Sequence, residues 1–453
     1  MKPLRLLLSL LFLLAPLAVE AQPAEGKANA ILASGPMVGY VEMTETAIWL
    51  QTTRPAEAQL RFWKVDVPES SRLTPVIATS GKGDLIATFV LGQLAFGTEY
   101  EYEVYLDGAK VGIPHPTRFA TQAMWQWRTN PPDFRVAVGS CAYVNDPPFD
   151  RPGTPYGGGL EIFSAIAATK PDLMLWIGDN LYYREGDWES ESGMRYRNAY
   201  NRRAPELAPL LASTPNYATW DDHDYGPNDS DRTYRLKDVA LEIFGDYWPS
   251  RVRGAAGVPG VFQRFTWGDV DFFLLDDRYH RVPNEMPPGP GKTMWGEEQL
   301  QWLMESLVSS SAPFKIVVNG GQVLNRAGNE EALPNFADYE RLMSFVQEAR
   351  IDGVVFVTGD RHHAILMKRD VEGGYPLYDL TTSPLTAGVA RASEGTDHDL
   401  VVPGTYFPER NFALLEFSGP RRERRMTMRI VNAAGVGVWE RTVGEGELKF
   451  FRE

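Results

Sequence analysis

Residues 173–183 read LMLWIGDNLYY, an apolar run that ends at Gly178 and is followed at once by an aspartate and paired tyrosines. A short apolar run of this kind, bounded by glycine, is typical of a strand buried on both faces. Three other stretches have the same form: FRVAVGSCAY (134–143), NYATWDDHDYG (216–226) and GVVFVTGDRHHA (353–364). Because α/β sheets place their sites at the carboxyl ends of strands, we expect these strands to be neighbours in one sheet and their ends to form one pocket.

The residues that follow these strands are rich in potential metal ligands. They are Cys141, Asp179, Tyr182, Asp221, Asp222, His223, Asp224, Asp360, His362 and His363. Carboxylates crowded together raise one another's pKa unless a cation compensates their charge. A solvated acidic loop explains 222–231 taken alone, but it does not explain acidic groups that repeatedly follow buried strands. The sequence therefore predicts a metal centre.

The types of ligand indicate which metals bind. The whole chain has 6 histidines, which is few for a histidine-rich dizinc centre. Aspartates suit hard cations such as calcium, magnesium and manganese. A phenolate and a thiolate together suit ferric iron, which is highly charged and can deprotonate both. We therefore expect one Fe3+ site and one or more Ca2+ sites, with Asp179 bridging them.

The pattern of the chain changes near residue 125. Residues 30–121 contain short strands separated by turn signals, and the segment EYEYEVYL (99–106) alternates with a period of two. After NPPD (130–133), strands and amphipathic helices alternate. The predicted fold is a layered α/β domain with a large mixed sheet and flanking helices, at 130–453, preceded by a small all-β sandwich domain at 30–123.

Composition narrows the function classes. The chain has 453 residues, of which 43% are hydrophobic, and its formal net charge is −14. An acidic chain is poorly suited to stable binding of nucleic acid or of an anionic membrane. An anionic substrate therefore has to be attracted locally, by a bound cation or by arginines. The single cysteine excludes an internal disulfide, and we expect a monomer.

The first residues resemble a secretory signal. Lys2 and Arg5 precede a short apolar run, and small residues lead to Ala21. This pattern predicts a Sec-type signal peptide at 1–21, and the alternative is an uncleaved membrane anchor. The run is short for a spanning helix, which needs about 20 residues. We expect an exported protein, periplasmic or extracellular, with no membrane span after cleavage.

Four sequence blocks carry a resemblance to known enzymes. GDNLYY (178–183) resembles the GDxxY block of purple acid phosphatases. WDDHD (220–224), NGGQ (319–322) and GDRHH (359–363) lie where other metallophosphoesterases carry their histidine-rich blocks. These replacements, together with Cys141, resemble the alkaline phosphatase D (PhoD-like) family. LLDDRYHR (274–281), SPLTAG (383–388) and a fibronectin III or immunoglobulin-like N-terminal module extend the match over nearly all of the mature chain. The resemblance implies a metallophosphoesterase-like fold.

The resemblance also implies roles for individual residues. The positions that would hold ferric iron are Cys141, Asp179, Tyr182 and His362. Those around calcium are Asp179, Asp222 and Asp360, with Asp221 as a further ligand. His223 would contact the phosphoryl group or protonate the leaving oxygen, and Arg278 and Arg361 would clamp a phosphate. Arg278 has an alternative structural role as an ion-pair partner of Asp276 or Asp277.

The chain departs from the family in two places. Asn180 stands where some members carry a tyrosine, which affects the shape of the pocket, and a twin-arginine export signal is absent. Gln322 is either a site residue or a structural one, and His363 is expected to be structural. His115, His280 and His398 are expected to be solvated or structural.

The predicted function is hydrolysis of phosphate monoesters, diesters or both, by in-line attack of a metal-bound hydroxide. One alternative is an exported calcium-binding adhesion or carbohydrate-binding protein without catalysis. Another is a lipid or cell-wall phosphodiesterase, in which YGGG (156–159) and MRYRNAYNRR (194–203) line an elongated groove. Cys141 and Tyr182 argue against the adhesion protein, because a calcium site needs neither thiolate nor phenolate.

Overall fold

The computed structural model describes residues 28–255, 257–327, 332–390 and 396–451. The predicted signal peptide at 1–21 lies outside these ranges. The described N-terminal part is all-β, as predicted. Its strands are β1 (Leu32–Val41), β2 (Thr46–Thr52), β3 (Glu57–Lys64), β4 (Val67–Leu73), β5 (Ile77–Ala78), β6 (Ile86–Leu91), β7 (Glu99–Leu106), β8 (Ala109–Lys110) and β9 (Arg118–Ala120).

These strands form two sheets. One has the order β1-β2-β6, and the other has the order β4-β3-β7-β8, with β5 paired to β3 and β9 to β7. The alternation in β7 places Tyr100, Tyr102, Val104 and Leu106 on the buried face.

The remaining described chain alternates strands and helices, with short 3₁₀ turns between some of them. Its elements are β10 (Phe134–Gly139), α1 (Glu161–Ala168), β11 (Leu173–Ile177), α2 (Glu191–Arg202), α3 (Ala208–Ser213), β12 (Asn216–Thr219), α4 (Asp222–Tyr225), α5 (Lys237–Tyr247), β13 (Gln263–Trp267), β14 (Val270–Leu274), α6 (Gly296–Ser309), β15 (Phe314–Asn319), α7 (Ala337–Glu348), β16 (Val354–Thr358), β17 (Ile365–Arg369), β18 (Leu377–Thr381), β19 (Asn411–Ser418), β20 (Arg425–Asn432) and β21 (Gly437–Gly444). None of the helices described is long and apolar enough to cross a membrane.

Two six-stranded mixed sheets, rather than one large sheet, form this part. The first has the order β12-β11-β10-β19-β20-β21, and the second has the order β13-β14-β15-β16-β18-β17. Strands β10, β11 and β12 are parallel neighbours in the first sheet. Strand β16, which leads to Asp360, lies in the second sheet, between β15 and β18. The prediction that all four site strands are neighbours in one sheet is therefore wrong.

The two sheets pack face to face, which still brings the strand ends together. Phe417 on β19 contacts Phe272 on β14 and Phe314 on β15, with ring centroids 6.3 and 5.6 Å apart. Val136 of the first sheet and Val317 of the second belong to the same buried apolar cluster. Helices cover the outer faces, so the layered α/β class is confirmed.

The N-terminal strands dock against helices α3 and α5 and against the edge strand β12 of the first sheet. The Tyr102 hydroxyl donates to the Ala212 carbonyl at 2.7 Å, and Trp49 Nε1 donates to the Asp246 carbonyl at 2.9 Å. Asn216, on the edge strand β12, donates from Nδ2 to the Val38 carbonyl at 3.0 Å. Because Trp49 and Tyr102 are also buried, this contact combines apolar packing with satisfied hydrogen bonds.

Candidate metal centre

The backbone is left-handed at four of the residues proposed as ligands. The φ angles are +59° at Cys141, +51° at Asp179, +64° at Asp360 and +57° at His362. For a residue with a side chain this conformation costs about 1–3 kcal/mol, and such residues cluster at functional sites. Each sharp turn comes just after a strand, so the chain reverses while the side chain projects from the strand end.

Two glycines leave room for the Asp221 side chain beside these proposed ligands. A Cβ added at Gly178 would lie 2.7 Å from Asp221 Cβ, and one added at Gly320 would lie 2.6 Å from Asp221 Cγ. Both distances are shorter than side chains tolerate. The glycines of the GDN and NGG blocks therefore have a packing reason: the backbone of both loops presses against this carboxylate.

Four side chains with different donor atoms converge on one point. Ligand atoms of Cys141, Asp179 and His362 lie within 4.8 Å of one another. The Tyr182 hydroxyl donates to Asp179 Oδ2 at 3.0 Å and lies 3.1 Å from His362 Nε2. A thiol, a phenol, a carboxylate and an imidazole thus converge, and this is a donor set that suits a highly charged metal ion.

Cys141, Asp179 and His362 form one donor group, a set of side chains that could hold a metal ion, and two further donor groups also contain Asp179. One consists of Asp179, Asp222 and His223, and the other of Asp179, Asp221 and Asp360, each with atoms within 4.8 Å. Asp179 belongs to all three groups in the described chain. A carboxylate placed in this way can offer its two oxygens to two neighbouring cations.

The electrostatics of the site favour bound cations. Burial, and then the charges of Asp222 and Asp221, raise the pKa of Asp179 well above its usual value. Burial also raises the pKa of Cys141 and, to about 6, that of Asp360. Metal ions bind the deprotonated forms of these groups, so metal binding would replace their protons.

Unpartnered buried oxygens test whether these residues fit a metal. Asp221 Oδ2, Asp277 Oδ1 and Asn180 Oδ1 are buried and accept no hydrogen bond. Leaving a buried acceptor unpaired costs roughly 1–3 kcal/mol. Hard cations bind such oxygens, so the donor chemistry fits the metals expected from the sequence.

His223 lies directly beside the proposed iron ligands. Its backbone N–H donates to Asp179 Oδ1 at 3.2 Å, and its ring centroid is 4.2 Å from that of Tyr182. Burial lowers the pKa of His223, so its imidazole is neutral near pH 7. A neutral ring still carries one N–H, which can donate to a phosphoryl or leaving-group oxygen.

Arg278 pairs with a residue that the sequence did not suggest. Its Nε donates to Asp221 Oδ1 at 2.6 Å, and both side chains are buried. Asp276 contacts Arg278 only by accepting its backbone N–H, and Asp277 Oδ1 is 3.8 Å away from Nε. The Nη1 of the ion-paired Arg278 is buried and has no hydrogen-bond partner. Arg361 lies beside Asp360, at 3.9 Å.

Some predicted residues are structural or lie elsewhere. Gln322 donates from Nε2 to Thr381 and accepts from Asn325 through Oε1, so both ends of its amide are already used. His363 is buried against Tyr406. His115, His280 and His398 are not members of the three donor groups.

Two residues contribute in ways that the sequence did not suggest. Asp224 accepts the Asp221 and Asn180 backbone N–H groups at 2.7 and 3.1 Å, and thereby orients the WDDHD turn. Its position three residues after Asp221 is a capping-box signal that could have been read from the sequence. Tyr156, whose hydroxyl lies 3.3 Å from His362 Nδ1, has no comparable signal.

The family model described as PhoD-like phosphatase matches residues 136–414. The chain belongs to this family. The predicted family is therefore confirmed. A second family model, described as a domain of unknown function (DUF7800), matches residues 29–124 of this family member.

One relative is the alkaline phosphatase D of Bacillus subtilis (strain 168), which is 24% identical over 253 residues. The matched region is 45% of this chain, and it spans 43% of the length of that protein. Two solved structures share the fold. The structure of PhoD has a TM-score of 0.74, 16% identity and 92% coverage of both chains. A purple acid phosphatase from yellow lupin (Lupinus luteus) seeds has a TM-score of 0.67, 12% identity, and coverage of 92% of this chain and 74% of its own.

Proposed function

We propose that this protein is an exported, metal-dependent phosphoesterase that hydrolyses phosphate monoesters, diesters or both. The observation that carries the proposal is the position of Asp179, which belongs to three overlapping groups of largely buried side chains that could hold a metal ion. Family membership supports the reaction class. The apolar leader at 1–21 supports export to the periplasm or the extracellular space.

The donor chemistry supports two kinds of metal. Cys141, Asp179, Tyr182 and His362 would hold Fe3+, because thiolate and phenolate oxygen are donors for a highly charged ion. Asp179, Asp221, Asp222 and Asp360 would hold Ca2+ through carboxylate oxygens. When bound, such cations neutralise phosphate oxygens and lower the pKa of water.

The protein's own side chains would act on the rest of the ester. Arg278, anchored by Asp221, would direct its free Nη1 at a phosphate oxygen. Arg361, with its side chain 21% exposed, would contact the phosphate from the solvent side. His223 would donate to the phosphoryl group or the leaving oxygen, since its ring packs on Tyr182 beside the proposed iron ligands.

Elemental analysis combined with a substrate panel tests the proposal. Purified protein should contain iron and calcium and should hydrolyse p-nitrophenyl phosphate, bis(p-nitrophenyl) phosphate or both. EGTA should remove calcium and activity, and added calcium should restore the activity. Asp179→Asn should lose both metals and turnover. Asp172→Asn is the matched control, because Asp172 is exposed and precedes the other end of the same strand.

The non-catalytic alternative predicts a different result. A calcium-binding adhesion or carbohydrate-binding protein would bind calcium without iron and would hydrolyse neither ester. Protein that is loaded with metal but inactive on the whole panel would contradict the proposed function.

A further inference from the structure

Tyr156 lies at the rim of the candidate metal centre. Its hydroxyl is 3.3 Å from His362 Nδ1, and its ring centroid is 6.0 Å from that of Tyr182. The ring also packs edge-on against Tyr143, with the centroids 4.9 Å apart and the planes at 73°. These contacts hold the Tyr156 ring next to two of the proposed iron ligands.

The Tyr156 ring remains open to solvent in spite of these contacts. Its exposed fraction is 45%, compared with 8% for Tyr143 and 3% for Tyr182. An ester whose phosphorus lay among these largely buried donor side chains would extend its non-reacting part towards solvent. The Tyr156 ring is an aromatic surface on that boundary.

Polar side chains near the ring are already paired with the backbone. Asn145 donates to the Gly157 carbonyl and accepts from the Gly157 N–H, at 2.9 and 3.0 Å. Thr386 donates to the Tyr143 carbonyl at 2.8 Å, and Arg410 donates to the Thr386 and Ala387 carbonyls. With these groups engaged, the exposed part of the Tyr156 ring is an aromatic surface that the described rim offers to a substrate.

We propose that Tyr156 is a specificity-determining residue that stacks on a planar aromatic group of the substrate, and that small nucleotides are the favoured esters. This inference rests on the proposed function. Any nucleobase can stack on an aromatic side chain, because every base has a flat π-face. The net charge of −14 disfavours a polynucleotide, so a small ester is the better fit.

Two esters that differ only in the base provide the test. Adenosine 5′-phosphate and ribose 5-phosphate lose phosphate from the same 5′-hydroxyl, so the ratio of their kcat/KM values isolates the contribution of the base. The wild-type ratio should lie between about 5 and 100, and Tyr156→Ala should bring it close to 1, mainly through KM. Tyr156→Phe keeps the ring and should keep the ratio within about twofold. Trp127→Ala, which removes a ring that is 90% exposed in the linker before β10, should not change it.

A binding measurement separates failure of this inference from failure of the proposed function. Calorimetric titration of wild type and Tyr156→Ala with the same two esters, each protein first treated with EGTA to stop turnover, reports the preference for the base in binding alone. Equal affinity for both esters in the wild type, or a ratio unchanged by Tyr156→Ala, would overturn the stacking role. If the preference in binding depends on Tyr156 but metal-loaded protein hydrolyses neither monoesters nor diesters, the phosphoesterase proposal fails and the stacking role stands. Iron content is measured in each variant, because a loss of iron in Tyr156→Ala with an unchanged ratio would mean that Tyr156 only supports His362.

Discussion

Arg278 and Asp221 form a buried ion pair, in which Nε donates to Oδ1 at 2.6 Å. Oδ1 compensates the charge of Arg278, and Oδ2 has no hydrogen-bond partner. Asp221 also belongs to the donor group that contains Asp179 and Asp360. Asp221 therefore links the proposed phosphate-binding arginine to the proposed calcium ligands.

Removing one member of this ion pair should destabilise the folded protein. Arg278→Ala leaves the Asp221 charge buried and unpaired, so we expect the free energy of unfolding to fall by about 3–5 kcal/mol. The double variant Arg278→Ala with Asp221→Asn should recover part of that loss. Urea unfolding of metal-free protein measures both effects. A single variant as stable as the wild type would show that the pair does not form in solution.

Tyr182→Phe should bleach the protein. A phenolate bound to ferric iron gives visible absorption by moving electron density from ring to metal. The variant keeps most of the ring packing, but it should lose that absorption and retain less iron. Tyr183→Phe is the matched control, because the Tyr183 hydroxyl only accepts a hydrogen bond from Asn198. A colourless wild type with full activity and only divalent metals would refute the ferric assignment.

His223→Asn should separate catalysis from metal binding. The His223 side chain belongs to only one of the donor groups, with Asp179 and Asp222. We expect metal content close to that of the wild type and kcat lower by about 10²- to 10⁴-fold, the usual contribution of an acid or phosphoryl contact. Steady-state kinetics on metal-replete protein measure the change. Near-normal turnover would make His223 structural.

Metal-free protein should gain stability from Asp360 in mild acid. Burial, with a further contribution from Asp222, raises the pKa of Asp360 from 3.8 to about 6. When folding raises the pKa of an acid, that acid stabilises the folded state fully at pH values below its pKa in the unfolded state. The contribution is lost as the pH rises through its pKa in the folded state.

Asp360→Asn supplies the comparison that isolates this effect. Relative to that variant, the wild type should become less stable by about 1–2 kcal/mol between pH 4.5 and pH 7.5. Denaturant unfolding after chelation measures the free energy of unfolding of both proteins at each pH. Taking the difference between the two proteins cancels the contributions of the other carboxylates. A constant difference across this range would contradict the raised pKa.

The sequence alone determined which buried strands are followed by potential metal-binding residues. Runs such as LMLWIGDNLYY are local signals, because a buried strand needs continuous apolar residues and its end needs polar ones. The donor residues, the all-β N-terminal part, the layered class and the family could therefore be predicted without coordinates.

Only the tertiary structure decided how those elements meet. Strand β16 lies in a different sheet from β10, β11 and β12, and the face-to-face packing of the two sheets brings their ends together. Arg278 meets Asp221 across 57 residues, and Tyr156 meets His362 across 206 residues. Apolar periodicity specifies which face of a strand is buried, but it does not specify which distant side chain will lie opposite, because that depends on how whole sheets pack.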